Sequence, residues 1–345
     1  MSTPAVTPSD LSANPSQPRS TVRGFATMFG AIFAVYVGFA IVFYFWKGQL
    51  FTPDPPDSWA VLLLVGAVAL GKWKSFLVDW IPFVALIFGY EMLRGFAGTV
   101  IDKNLVPSHP GAVHYHFLLN FDSWIMGGTP LTKILQDHLY KPDVLQPWDI
   151  MAGIVYSLHF ALPLIFGFIL WMRSRAQFRW FVVTLLVMTY STFIMFLLLP
   201  TAPPWLLNHW GVLPGIHDPF NNAAASLSEA SKSHFGALTV WTHASPNPVA
   251  AFPSLHAAYP WLVMLFAVRI FGRKGYLMLI YNVMLWFTVV YLAQHWVIDI
   301  LAGIAWATAS FFLIDAILRR LPSHVIGDYR AAPEPKPALS PARPA

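Results

Sequence analysis

Long apolar runs separated by short basic turns dominate this chain. The runs fall at about 25–46, 58–71, 75–97, 150–172, 179–200, 255–272, 277–297 and 299–318. Most approach the roughly 20 residues that cross a bilayer. They predict an all-α fold, a polytopic membrane helix bundle of eight spans. The second run is the shortest and suits a re-entrant or weakly tilted segment. Two connections are long, 98–149 and 201–254. Within the first, Phe117, Leu118, Leu119, Trp124, Leu131, Ile134 and Leu135 alternate with polar residues. That mixture predicts one or two helices lying at the membrane interface. The second holds Trp205, Trp210 and Trp241 among many Pro, Asn and Ser. Interfacial anchoring and a lid over a site both fit it.

Residues 1–23 and 321–345 are rich in Ser, Pro, Thr and Ala without periodicity, and read as disordered tails. The first apolar run ends on bulky Phe43, Tyr44, Phe45 and Trp46, so it reads as a retained span and not as a cleaved signal. Segment 24–74 then supplies two accessory spans, and 75–320 a membrane domain of six.

Charge sets the expected orientation. Only 11% of the 345 residues are charged, about half the share in a soluble domain. Basic residues cluster in short loops: Lys72 and Lys74; Arg173, Arg175 and Arg179; Arg269, Arg273 and Lys274. Arg19 and Arg23 precede the first span, and Arg319 and Arg320 follow the last. With eight spans these clusters share one face, which the positive-inside rule makes cytoplasmic. Both termini are then cytoplasmic, and both long connections lie on the other face. The net charge of +5 follows from the same rule and gives no reason to expect nucleic acid, because no basic run interleaves with aromatics. Cysteine is absent, which excludes thiolate chemistry and disulfides.

Candidate chemistry lies on that opposite face. Ala250–Pro260 contains Pro253-Ser254-Leu255-His256 and reads as a loop turning into a helix. Pro253 suits the first helical turn. Ser254 puts a hydroxyl beside backbone N–H groups that attract anions, phosphate in particular. About forty residues on, His295 and Asp299 stand four apart, the spacing of one helix face. A carboxylate there holds one imidazole nitrogen and leaves the other for attack. One histidine beside a phosphate cradle and another beside an aspartate make a phosphoryl-transfer constellation. Taken singly, His256 also reads as a polar helix-start residue, and His295 as a buried histidine satisfied by Asp299. An unpaired Asp299 at the head of a span would cost several kcal/mol. His114, His116, His217, His234 and His243 lie on the same face, but their irregular spacing favours polar interfacial histidines over a metal site.

Pro-Ser-Leu-His at 253–256, followed by His-x-x-x-Asp at 295–299, resembles the second and third motifs of the type-2 phosphatidic acid phosphatase superfamily. Phe121–Pro130 with Leu135-Gln136, and Leu199–Trp205, resemble segments of its inositol phosphorylceramide synthase branch, which has many bacterial membrane relatives. The resemblance covers roughly 75–318. It implies a two-step reaction without a metal or other cofactor. His295, oriented by Asp299, attacks phosphorus; His256 protonates the leaving oxygen and then deprotonates water or an alcohol; Ser254 and nearby N–H groups hold the phosphoryl oxygens. The partners implied are a membrane phospholipid and a lipid alcohol or water, at the extracytoplasmic leaflet of a bacterial plasma membrane.

The departures carry information. No Lys-x6-Arg-Pro motif precedes Pro253, and Val289 stands where phosphatase members carry an arginine. Loss of cations harms a dianionic monoester more than a monoanionic diester. Transfer of a phosphorylated head group is therefore favoured, with plain lipid phosphate hydrolysis and a non-enzymatic transporter or scaffold as the alternatives. Four further residues are candidates for substrate contact. Arg94 is a replacement cation, or else the partner of Glu91 at a helix end; Asp122 orients a histidine or a head-group hydroxyl; Tyr156 and His159 share one face of the fourth span.

Overall fold

The apolar runs fold as helices because a backbone in lipid must satisfy its own hydrogen bonds. The computed structural model describes residues 64, 67–68, 70–105, 113–142, 144, 146–217, 219 and 247–320. The two accessory spans fall almost wholly outside the described residues, as do both tails, Trp241, His234 and His243. The described helices are α1 (Trp73–Leu105), α2 (His116–Ile125), α3 (Leu131–Leu139), α4 (Pro147–Arg173) and α5 (Arg175–Leu198). They continue with α6 (Pro204–His209), α7 (Leu255–Phe271), α8 (Met278–Tyr291) and α9 (Val297–Leu318). Among the described residues the only β pairing is a pair of isolated bridges, His114 with Thr201 and Thr201 with Ala250.

Three segments are long and apolar enough to cross a membrane: Arg175–Leu198, Leu255–Tyr291 and Val297–Leu318. Pro147–Arg173 makes a fourth if its two arms, bent by 46° between Tyr156 and Ala161, count together. Pro163 explains the bend, since it cannot donate to the carbonyl four residues earlier, that of His159. Leu255–Tyr291 is a hairpin. Trp261 packs on Trp286 at 5.8 Å, Asn282 reaches Met264, and Ala257 clusters with Leu285 and Val289. These pairs run antiparallel. The reversal is a 3₁₀ turn, Gly272–Leu277, packed so closely that a Cβ on Gly275 would lie 2.2 Å from the Val268 nitrogen.

Two expected boundaries move. The third expected span, 75–97, is part of a longer helix that continues to Leu105. The seventh stops at Tyr291, six residues short of 297, because the chain turns there with Ala293 at φ 60°.

The ends of the bundle differ in chemistry. At one end Asp79 receives the Trp171 indole N–H at 2.8 Å and pairs with Arg175 and Arg179. Arg173 lies over the Phe271 ring at 5.3 Å. At the other end the connections are stitched together. His114 donates its N–H to Pro200, Thr201 to Val249, and Ala202 to His114, at 2.9, 2.8 and 3.1 Å. Tyr90, Leu118, Leu206, Val249 and Trp296 form an apolar cluster over this end, so α2 and α6 are packed elements and not loose loops. The Trp296 indole N–H donates to the Ala202 carbonyl at 2.8 Å, anchoring the turn before α9.

Candidate active site

The two signature histidines meet at this stitched end. Ser254 is the N-cap of α7, and its hydroxyl oxygen accepts from the Ala257 N–H at 3.3 Å. His256 is thereby the second residue of the helix. Pro253 was expected inside that first turn; it precedes the cap instead, joined to Phe252 by a cis peptide bond. Thr201 holds the approach, its hydroxyl oxygen accepting from the Phe252 N–H at 2.9 Å.

His295 and Asp299 do not share a helix face, contrary to the expectation from their spacing. His295 lies in the turn before α9, one residue ahead of the N-cap Trp296, while Asp299 is the third helical residue. The carboxylate folds back over its own helix start, accepting from the Trp296 N–H at 2.9 Å and facing His295 Nδ1 at 3.3 Å. The capping interaction is with Trp296, the residue after His295. The turn is rigidly placed: the Val289 carbonyl accepts from the N–H groups of Gln294 and His295 at 2.9 and 3.2 Å. Both side chains are buried, Asp299 completely.

His256 Nδ1 lies 2.8 Å from His295 Nε2. Asp299 can only accept while ionised, so His295 Nδ1 carries the proton and its Nε2 presents the lone pair. His256 Nδ1–H is then the donor of the bond between them. A nucleophilic nitrogen thus faces a protonated one, with a carboxylate behind it. The Ser254 N–H donates to the Asp299 carbonyl at 3.0 Å, which locks the two motifs together through the backbone. Gly303 permits this approach: a Cβ there would lie 2.3 Å from the Ser254 carbonyl oxygen.

The other expected residues divide. Tyr156 and His159 join the site from α4, their rings 4.7 and 4.1 Å from that of His256. His159 Nδ1–H donates to the Tyr156 carbonyl, fixing its tautomer. Asp122, expected to orient a histidine or a head-group hydroxyl, is wholly buried and accepts from the Val297 N–H at 3.0 and 3.3 Å. Burial, with Asp299 nearby, pushes its carboxyl up to about 7 against the pull of the Val297 and Ile298 N–H groups. Arg94 lies on α1, and its side chain and that of Glu91 are outside the described residues.

Three supporting residues were not assigned from sequence. Gln136 donates to the Tyr291 carbonyl at 2.8 Å and to the His217 carbonyl at 3.1 Å, while accepting from the His217 N–H at 2.8 Å. The Tyr291 hydroxyl donates to Asp149, tying the His295 turn to α4. Thr201 is the third. Gln136 and Thr201 sat inside family-like segments, but their role depends on contacts between distant parts of the chain.

Comparison with known proteins gives the family. A family model described as the PAP2 superfamily matches residues 128–313, just over half of the chain. The chain is similar to a phosphoinositol dihydroceramide synthase of Bacteroides thetaiotaomicron, 29% identical over 181 residues, covering 50% of this chain and 57% of that one. It is similar to the inositol phosphorylceramide synthase catalytic subunit of Schizosaccharomyces pombe, 28% identical over 192 residues, covering 50% and 41%. For the inositol phosphorylceramide synthase of Candida albicans the identity is 26% over 159 residues, covering 45% and 33%. The chain therefore spans only part of the curated relatives it matches, between about a third and three fifths of their length. No solved structure matches.

Proposed function

The chain belongs to the PAP2 superfamily, and on that premise we propose that it is a membrane-embedded lipid phosphotransferase moving a phosphorylated head group from a phospholipid to a lipid alcohol of the ceramide type. The observation that carries the reading is the 2.8 Å contact of His256 Nδ1 with His295 Nε2, backed by Asp299. In the first step the His295 Nε2 lone pair attacks phosphorus. The P–O bond to the diacylglycerol breaks, and its oxygen takes the Nδ1 proton of the His256 imidazolium, which is left neutral. In the second step the acceptor hydroxyl gives its proton to His256 Nδ1 and attacks phosphorus, and the P–N bond breaks. Asp299 holds His295 Nδ1–H throughout and offsets the positive charge on the ring.

Val289 supports a diester donor. It is fully buried among Ala257, Leu285 and Ile300, so this position offers phosphate no charge. The positive end of α9 already faces Asp122 and Asp299. That of α7 remains, equivalent to roughly half a charge, which suits a monoanion better than a dianion. The names of the bacterial and yeast relatives point to the same reaction.

The fold reads as a six-span core, α1, α4, α5, α7, α8 and α9, with α2, α3 and α6 at the outer interface. Exposed Trp124 and Phe117 on α2 suit that position. Arg173, Arg175 and Arg179 mark the cytoplasmic end, and the histidines the extracytoplasmic end.

Purified protein in lipid, offered phosphatidylinositol or phosphatidate with and without ceramide, tests the reading against a His295→Ala blank. Diacylglycerol released only when phosphatidylinositol and ceramide are both present supports transfer. Free phosphate from phosphatidate, lost in the blank, would make the protein a phosphatase and remove the argument built on Val289.

A further inference from the structure

The first turn of α9 is held by a carboxylate brought from far away. Asp122, 175 residues before Val297, is buried against the N–H groups at the helix start. Helix ends usually take a cap from the adjoining chain or from water, and Asp299 already provides the local one through Trp296. Asp122 is therefore a second, imported cap on the same turn.

That turn carries most of the site's geometry. Its third residue, Asp299, faces His295 at 3.3 Å, long for a hydrogen bond and so sensitive to further displacement. The Asp299 carbonyl receives the Ser254 N–H. The residue before the turn, Trp296, is anchored to Ala202. From within α9, Asp299 holds the Trp296 N–H; from outside it, a carboxylate on α2 holds the next one, that of Val297. α2 is in turn seated by Leu118, one turn earlier on the same face as Asp122 and buried beside Trp296.

We infer that Asp122 is a positioning residue for the nucleophile: by gripping Val297 it sets the distance between Asp299 and His295 from an extramembrane helix. The inference rests on the proposed function for its kinetic consequence and on geometry alone for its structural one. Asp122 is wholly buried and spends its oxygens on Val297, so on this inference binding is left intact and the chemical step alone suffers when it is removed. A misplacement of about 1 Å costs roughly 100-fold in rate.

The test compares Asp122→Ala and Asp122→Asn with wild type, purified in lipid. In the alanine variant kcat falls roughly 10- to 100-fold while KM stays within about twofold. Amide exchange of the peptide covering Trp296–Ile300 speeds by about tenfold or more, with α7 and α8 unchanged. Asparagine keeps an oxygen to accept the Val297 N–H and restores both readouts most of the way. A raised KM at constant kcat would make Asp122 a substrate contact and overturn the inference. So would exchange unchanged at Trp296–Ile300, or accelerated across all of α7–α9. If wild type turned over no lipid while exchange responded as expected, the proposed activity would fail and the grip of Asp122 on α9 would stand.

Discussion

His256 Nδ1 and His295 Nε2 are in direct hydrogen-bond contact at 2.8 Å. No phosphorus fits between nitrogens so close. Attack requires the nucleophile at roughly 3–3.5 Å from phosphorus and the acid within roughly 3 Å of the leaving oxygen. Substrate must therefore replace this bond, with the His256 proton passing from His295 to the leaving oxygen. Orthovanadate, which takes up five ligands as phosphorus does in transfer, should bind between the rings and inhibit in competition with the donor lipid. A structure with vanadate bound should show the two nitrogens separated to about 5 Å or more. Persistence of the 2.8 Å contact with vanadate bound elsewhere would contradict the two-step scheme.

Removing each histidine should have a different signature. His295→Ala abolishes turnover and the covalent phosphoenzyme. His256→Ala loses roughly 10²–10⁴-fold in turnover, but a donor with an acidic leaving alcohol, which needs no protonation, restores formation of the intermediate. Acid-labile labelling of His295 by a head-group-labelled donor is the measurement.

Gly303→Ala tests the contact between the two motifs. The added methyl would lie 2.3 Å from the Ser254 carbonyl oxygen, a backbone atom that cannot rotate away. α9 and the start of α7 must separate. Turnover should fall at least tenfold, with the thermal midpoint in detergent lowered, overpacking typically costing about 1–3 kcal/mol. Alanine at Gly211, where nothing lies within 4 Å but φ is +70°, is a control for backbone strain alone.

Gln136→Leu keeps the volume but strands the buried Tyr291 carbonyl and takes its partner from the His217 N–H. Each unsatisfied buried group costs about 1–3 kcal/mol. Loss of stability of that order, read from thermal unfolding in detergent, is expected. Gln136→Glu, which still accepts from His217 but cannot donate to Tyr291, should fall between.

Asp122 makes stability depend on pH in an unusual direction for a carboxylate. Its folded value of about 7 lies above the ordinary 3.8, so the native state holds the proton more tightly than the unfolded chain. Stability from this group is full below about 3.8, falls as pH rises to about 7, and is level above. The slope inside the window is about 1.4 kcal/mol per pH unit. The groups that face it are Asp299 and, behind that, His295. Asp122→Asn lacks the ionisation, so the variant should gain on wild type between pH 4 and pH 7 in unfolding midpoint. A constant difference across that range would show that Asp122 titrates normally.

Much of the described bundle and the two motifs of its candidate site were legible in the sequence for physical reasons. Lipid forces long uninterrupted apolar helices, so the runs at 150–172, 179–200 and 299–318 marked α4, α5 and α9 to within a few residues. Pro253–His256 and His295–Asp299 were legible because a helix start and a carboxylate-held imidazole are local devices. The way they work was not. The i,i+4 spacing of His295 and Asp299 suggested one helix face, yet a helix start folds the carboxylate back onto the turn, a geometry with the same spacing.

Asp122 marks the boundary most clearly. Its place in α2 was readable from the apolar pattern around it, and its residue type offered substrate contact as easily as anything else. Only the packing of α2 against α9 made it a buried cap. Gln136, Thr201 and Gly303 belong with it: an amide, a hydroxyl and a missing side chain have no meaning until another strand of backbone lies beside them. Sequence alone determined where the described long apolar helices lie and which side chains are candidates for the chemistry, because solvent and side-chain type act locally. Tertiary structure decided which atoms touch, because close approach between residues about 50 to 175 positions apart depends on the packing of the whole bundle.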